Sequence, residues 1–108
     1  MSAAIVIKRG DTRSAIKAML KSPEGAPVNL TGASVRFIMV SLSGAPKIDR
    51  QIDALDASGG LVLVAMESAD VDTAGVYRGE FEVTFPDGRK ETYPNDDYLV
   101  ISIVPDLG

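Results

Sequence analysis

The sequence predicts an all-β fold, an antiparallel two-layer sandwich of about seven or eight strands. Three observations carry that expectation. First, Val76 to Phe85 alternates with period two: Tyr77, Gly79, Phe81, Val83 and Phe85 fall on one face, and Val76, Arg78, Glu80, Glu82 and Thr84 on the other. A half-buried strand requires that pattern, because successive side chains point to opposite sides of a sheet. Second, short apolar runs recur at fairly regular spacing, divided by turn-forming clusters such as Ser22-Pro23-Glu24-Gly25-Ala26-Pro27, Ser43-Gly44-Ala45-Pro46 and Asp56-Ala57-Ser58-Gly59-Gly60. Third, 108 residues with 45% hydrophobic content and a net charge of -4 suit one folded domain with one core, spanning residues 1–108.

Each element follows from local chemistry. Ala3 to Lys8 reads as a first strand that Gly10-Asp11 ends. Arg13 to Lys21 reads as a second, with Ile16, Ala18 and Leu20 on one face. Its Ala, Lys, Met and Leu are also good helix formers. The abrupt turn chemistry from Ser22 favours strand. Val28 to Gly32 links, with Leu30 plugging the edge of the core, and Ser34 to Leu42 is a strand. Lys47 to Leu55 alternates, with Ile48 and Ile52 opposite Asp49, Gln51 and Asp53. Leu61 to Met66 is a compact apolar strand, and Glu67 to Ala74 crosses over with one helical turn at Ser68 to Asp72. Pro86-Asp87-Gly88-Arg89 reverses the chain into Lys90 to Tyr93, and Tyr98 to Val104 closes the domain.

The lead-in Asp72-Thr73-Ala74-Gly75-Val76-Tyr77 resembles the tyrosine corner of immunoglobulin-type sandwiches, in which a Tyr near the start of a late strand bonds back to upstream backbone. Asp72, Gly75 and Tyr77 are its expected residues, with Asp72 fixing the corner. The fold class is therefore narrowed to an immunoglobulin-like sandwich.

Composition removes most reaction chemistry. The chain has no His and no Cys. Without them a disulfide framework, a thiolate nucleophile, the usual general base and the commonest zinc ligands are all missing. No enzyme and no cofactor are expected. An acidic balance with scattered basic residues argues against nucleic acid as a partner. The apolar run from Met1 to Ile7 meets Lys8-Arg9 too soon for an export signal, and no run approaches the ~20 residues of a membrane span. A soluble protein without membrane association is expected.

Weak motifs have plainer readings. Arg9-Gly10-Asp11 is a cell-adhesion tripeptide elsewhere and a strand-ending turn here. Asp49, Asp53 and Asp56, or Asp70 and Asp72, contain oxygens of the kind calcium prefers, but lack the spacing of a calcium loop. Asp49 and Asp53, four apart on a strand, lie about 13 Å from each other. Asp70 suits a cap for the crossing turn. Asn95-Asp96-Asp97 is a polar turn that could meet a partner, and nothing sets two carboxylates around a cleft for glycoside chemistry.

One feature points to binding. A two-sheet sandwich needs one apolar face per strand, yet several strands are apolar on both. Val35, Phe37 and Met39 can face inward, which leaves Ile38, Val40 and Leu42 outside. Leu61 and Leu63 are backed by Val62 and Val64, and Leu99, Ile101 and Ile103 by Val100 and Val104. Ile38, Val40, Leu42, Val62 and Val64 are accordingly the expected contact residues on an outer sheet face. Scattered exposed valines are the alternative reading.

The order of motifs carries a family resemblance. Lys8-Arg9-Gly10-Asp11-Thr12 is followed by Pro27-Val28-Asn29-Leu30-Thr31-Gly32-Ala33 and Val35-Arg36-Phe37. Later come Asp72 to Tyr77, Glu80-Phe81-Glu82-Val83, Phe85-Pro86-Asp87-Gly88 and Tyr93-Pro94-Asn95-Asp96. From Ile5 to Val104 this is similar to the immunoglobulin-like N-terminal domain of the phage baseplate upper protein family. The resemblance implies a virion structural protein, made in the bacterial cytoplasm, that docks onto other tail and baseplate proteins in symmetric copies without catalysis. It stops at Gly108, short of the helical and trimerising parts that hold receptor-binding proteins, so docking rather than bridging is the expected role. A capsid or tail decoration protein remains an alternative. So does a free immunoglobulin-like module recognising carbohydrate or a cell surface, for which only Tyr93 and Tyr98 supply loop aromatics.

Overall fold

In the computed structural model, which describes residues 4–95 and 97–107, nine strands carry the chain. They are β1 (Ala4–Lys8), β2 (Ala15–Met19), β3 (Ser34–Ser41), β4 (Pro46–Ile52), β5 (Ala54–Asp56), β6 (Leu61–Ala65), β7 (Gly75–Thr84), β8 (Lys90–Tyr93) and β9 (Leu99–Val104), with one 3₁₀ turn at Ser68–Asp70. The large sheet runs β1-β9-β7-β3-β4, with β8 also on β7; the small sheet runs β2-β6-β5. The expected first residue of β1, Ala3, and Asp96 of the polar turn lie outside the described residues. No described helix is long and apolar enough to cross a membrane.

Strand β7 organises the large sheet. Its alternation buries Tyr77, Gly79, Phe81 and Val83 and leaves Phe85, just beyond its end, half-buried. Its ten residues serve two partners along one edge: Gly75 to Gly79 pair with β9, and Phe81 to Thr84 with β8. β3 covers the other edge from Ser34 to Ser41. Inside, the Phe37 and Phe81 rings meet at 4.9 Å with a 43° tilt. Gly79 makes room for them, since a Cβ there would sit 3.0 Å from both the Phe37 ring and Ile101. Across from this layer, Ile16, Leu20, Val62 and Val64 form the inner face of the small sheet, and Leu30 closes the edge of the core.

Two features differ from the expected antiparallel sandwich of seven or eight strands. β1 pairs with β9 in parallel, Ile5 opposite Ile101 and Ile7 opposite Ile103. Alternation reports which face a residue takes and carries no information about the direction of its partner. The expected strand Lys47 to Leu55 is two strands: β4 belongs to the large sheet, and after Asp53 the chain crosses to β5 in the small one. That crossing raises the strand count to nine.

A polar clamp ties the layers where they cross. Arg50 donates to Asp70 Oδ1 at 3.1 Å and Oδ2 at 2.7 Å, and to the Ala65 carbonyl at 2.7 Å. Asp70 is 4% exposed and also accepts the Glu67 amide at 2.7 Å, capping the 3₁₀ turn. Burial alone pushes this carboxyl up, but the hydrogen bonds from Arg50 and the Glu67 amide outweigh it and hold Asp70 below the usual carboxylate range. A second joint is Gly60, at φ +72°, where the Leu20 amide donates to its carbonyl at 2.8 Å. A side chain there would press on the Leu20 and Val28 carbonyls at 2.8 Å.

Candidate functional site

The outer face of the large sheet divides into two halves of different chemistry. On the β4 side Arg36 donates to Asp49 through two bonds of 2.6 Å and lies 3.6 Å from Glu82. Hydrogen bonding to Asp49 holds the Arg36 guanidinium in its charged form, and the same bond lowers the Asp49 carboxyl. This half satisfies its own charges and faces water.

The other half is richer in apolar residues. Val76 on β7 lies opposite Ser102 on β9, and Ser102 opposite Val6 on β1. On the far side Ser41 faces Tyr77, so the register brings the next residue, Leu42, beside Val76. Val6 is 64% exposed, Leu42 61% and Val76 43%, and the three line up in one row across four strand positions. The neighbouring row is Val40, Arg78 and Val100. Single exposed apolar residues are ordinary; here three share one row, with Ser102 between Val6 and Val76.

Arg78 stands in the middle of this second row. Its guanidinium lies over the Tyr98 ring, 5.3 Å from the centroid, and donates to the Leu42 carbonyl at 3.4 Å, a long bond. Its Nε is buried with no hydrogen-bond partner among the described residues. Ile38, Val40, Arg78, Gly79, Glu80 and Tyr98 line a hollow of about 160 Å³ at this point. An arginine stacked on an aromatic and short of acceptors, set among valines, has the composition of a protein-binding hot spot.

The expected contact residues separate cleanly. Ile38 and Val40 are half-buried on the outer face of β3, and Leu42 is exposed just beyond it. Val62 and Val64 are 0% and 1% exposed, and the expectation that they face outward is overturned. In β6 the phase is reversed: Val62 pairs with Ala18 and Val64 with Ile16 over the core, while Leu61 and Leu63 lie half-buried outside. The run Leu61 to Ala65 is apolar at every position, so it holds no phase of its own. The signal lay further on, where Met66 is buried in step with Val62 and Val64 and Ala65 is exposed. Sequence reasoning missed Val6 altogether and assigned Val76 to a polar face, because Val6 shares its strand face with Lys8 and Val76 shares its own with Arg78 and Glu80.

At the tyrosine corner, the Tyr77 hydroxyl donates to the Thr73 carbonyl at 2.7 Å, and Gly75 opens β7. Asp72 accepts from Lys47 Nζ and from the hydroxyl of Thr73, the residue whose carbonyl takes the Tyr77 bond, and those bonds lower its carboxyl. Of the other candidate acids, Asp49 pairs with Arg36 and Asp70 with Arg50, while Asp56 accepts from the Ser58 hydroxyl and the Gly59 amide. Arg9 of the adhesion-like tripeptide is bonded to Asp106 at 2.7 Å.

No protein-family model matches the chain, and no curated protein matches it in sequence. Among solved structures it is similar to the N-terminal domain of phage TP901-1 ORF48, with a TM-score of 0.66, 16% identity, and 96% of this chain covering 85% of that one. It is also similar to CopC from Methylosinus trichosporium OB3b, with a TM-score of 0.59, 13% identity, and coverage of 99% and 89%. At these identities the likeness is one of fold.

Proposed function

We propose that the chain is a non-catalytic structural subunit of a bacteriophage particle, a small tail- or baseplate-associated protein that docks onto neighbouring virion proteins. The observation that carries this reading is the fold likeness to a phage-encoded domain over 96% of the chain. The ordered motifs from Lys8 to Asp96, read independently in the sequence, point the same way. Fold alone does not assign function, so the role is argued from the surface. The stripe of Val6, Leu42 and Val76, with Arg78 in the row beside it, is the face that meets the neighbouring subunit. Copies are arranged symmetrically, as is usual where one small chain decorates a closed assembly.

A charged substitution tests the contact. Val76→Asp and Leu42→Asp place a carboxylate on the stripe without touching the core. Each variant, supplied in trans to a phage lacking the gene, folds normally by circular dichroism and fails to enter particles. Particles carrying the variants at the normal copy number would remove this face from the docking role.

A further inference from the structure

The small sheet ends early. β2 is its edge strand and pairs only with β6. The Leu20 amide donates to Gly60 and the Ser14 carbonyl accepts from Met66, so even-numbered residues direct their backbone groups toward β6. In an antiparallel ladder the intervening residues point the opposite way. The N–H and C=O groups of Ala15, Lys17 and Met19 therefore project from a free edge. Beside the Met19 end of that edge is a hollow of about 490 Å³, walled on one side by Ala18 to Pro23 and on the other by Phe81, Tyr93, Pro94, Asn95 and Leu99. The far wall belongs to the large sheet, where β8 likewise pairs only with β7. The groove is the open seam of the sandwich, apolar at its floor, and the outward backbone of β2 leads into it at Met19.

We propose that this seam takes an extended, acidic segment of a partner protein, which joins the small sheet as a fourth strand beside β2. Backbone hydrogen bonds to Ala15, Lys17 and Met19 hold it, and pockets for alternate side chains select it. Inward residues of the segment are apolar and rest on Tyr93, Leu99 and Phe81. The charge of the outward residues follows from the edge itself. Lys17 and Lys21 are both exposed, neither has an ion-pair partner among the described residues, and Lys21 is the one charged residue among the described residues that line the hollow. An edge lysine deters pairing with a second apolar or basic edge. It favours a strand carrying Asp or Glu opposite. This site is separate from the apolar stripe on the large sheet, and it does not depend on the virion reading.

The test is an NMR titration of the isotope-labelled full chain with two capped synthetic peptides, one alternating valine with glutamate and one alternating valine with lysine. The glutamate peptide shifts the amides of Ala15, Lys17 and Met19 together with Tyr93, Asn95 and Leu99, and slows hydrogen exchange at Lys17 and Met19. The double substitution Lys17→Glu with Lys21→Glu weakens that peptide about tenfold, since each exposed ion pair is worth a few-fold, and transfers preference to the lysine peptide. Lys17→Pro removes an outward N–H that β6 does not use, and abolishes binding. Should Lys17→Pro fail to fold, the charge-reversed variant decides alone. Absence of saturable binding to either peptide at millimolar concentration would overturn the proposal. So would shifts centred on Val6, Leu42 and Val76, unchanged preference after charge reversal, or self-association through the same amides, which would make the occupant a second copy.

Discussion

Removing the charge of Asp70 perturbs the clamp between the sheets more selectively than any core substitution. Asp70→Asn keeps the side-chain shape and one acceptor for the Glu67 amide, but loses the ion pair to Arg50. Breaking a buried pair by neutralising one partner costs about 3–5 kcal/mol, because the other charge stays behind. Asp70 is 5% exposed at its side chain and Arg50 28%, so water takes up part of the stranded guanidinium. The expected loss is therefore about 2–4 kcal/mol, or roughly 10–20 °C in melting temperature for a domain of this size. Urea unfolding at pH 7 measures it, and a cycle with Arg50→Met, which retains the aliphatic stem, isolates the pair. The pH dependence gives a second reading. The folded carboxyl lies below its unfolded value of about 3.9, so the stabilisation is complete above about pH 5 and is lost as pH falls through the folded value. The wild type accordingly loses more stability between pH 5 and pH 3 than Asp70→Asn does. A cost below about 1 kcal/mol, additive with Arg50→Met and with parallel pH profiles, would show the pair to be solvent-screened and refute the clamp.

Three further outcomes follow from the packing. Val62→Asp buries a charge in the core and abolishes folding, while Val76→Asp retains a cooperative thermal transition; the reverse order in calorimetry would restore the outward phase for β6. Tyr77→Phe keeps the ring packed and removes only the bond to the Thr73 carbonyl, for a loss of about 1 kcal/mol with an unchanged urea m-value. A loss above about 3 kcal/mol would mean that the hydroxyl supports more than the corner. Gly60→Ala combines a left-handed backbone with contacts of 2.8 Å to two carbonyls, and costs about 2–4 kcal/mol in the same assay. Neutrality of that variant would contradict the tight joint between Leu20, Val28 and Gly60.

How much of this was legible in the sequence depends on where phase is encoded. β7 and β8 were readable because each apolar position is answered by a polar one, and β2 because its turn chemistry ended it sharply. β6 was misread for the opposite reason: five apolar residues fit either face, and pairing with Ile16 and Ala18 chooses between them. The crossing at Asp53 was hidden because a strand that changes sheets keeps its alternation while changing its neighbours. The exposed stripe was half visible. Leu42 and Val40 belong to one apolar-rich strand, but Val6 and Val76 come from strands far apart in sequence that only the β1-β9-β7 order sets in a row. Arg78 gave no sequence signal, since its unpaired Nε and its stacking on Tyr98 exist only after β7 and the loop before β9 are placed.

The central claim is that this chain is part of a phage particle. Quantitative mass spectrometry of purified particles from the strain that encodes it tests this directly. The account predicts the 11.4 kDa chain at a fixed, stoichiometric ratio to the major tail protein, low enough to correspond to a tail-tip ring rather than a tube or shell. Its absence from particles that otherwise contain a complete tail would contradict the account.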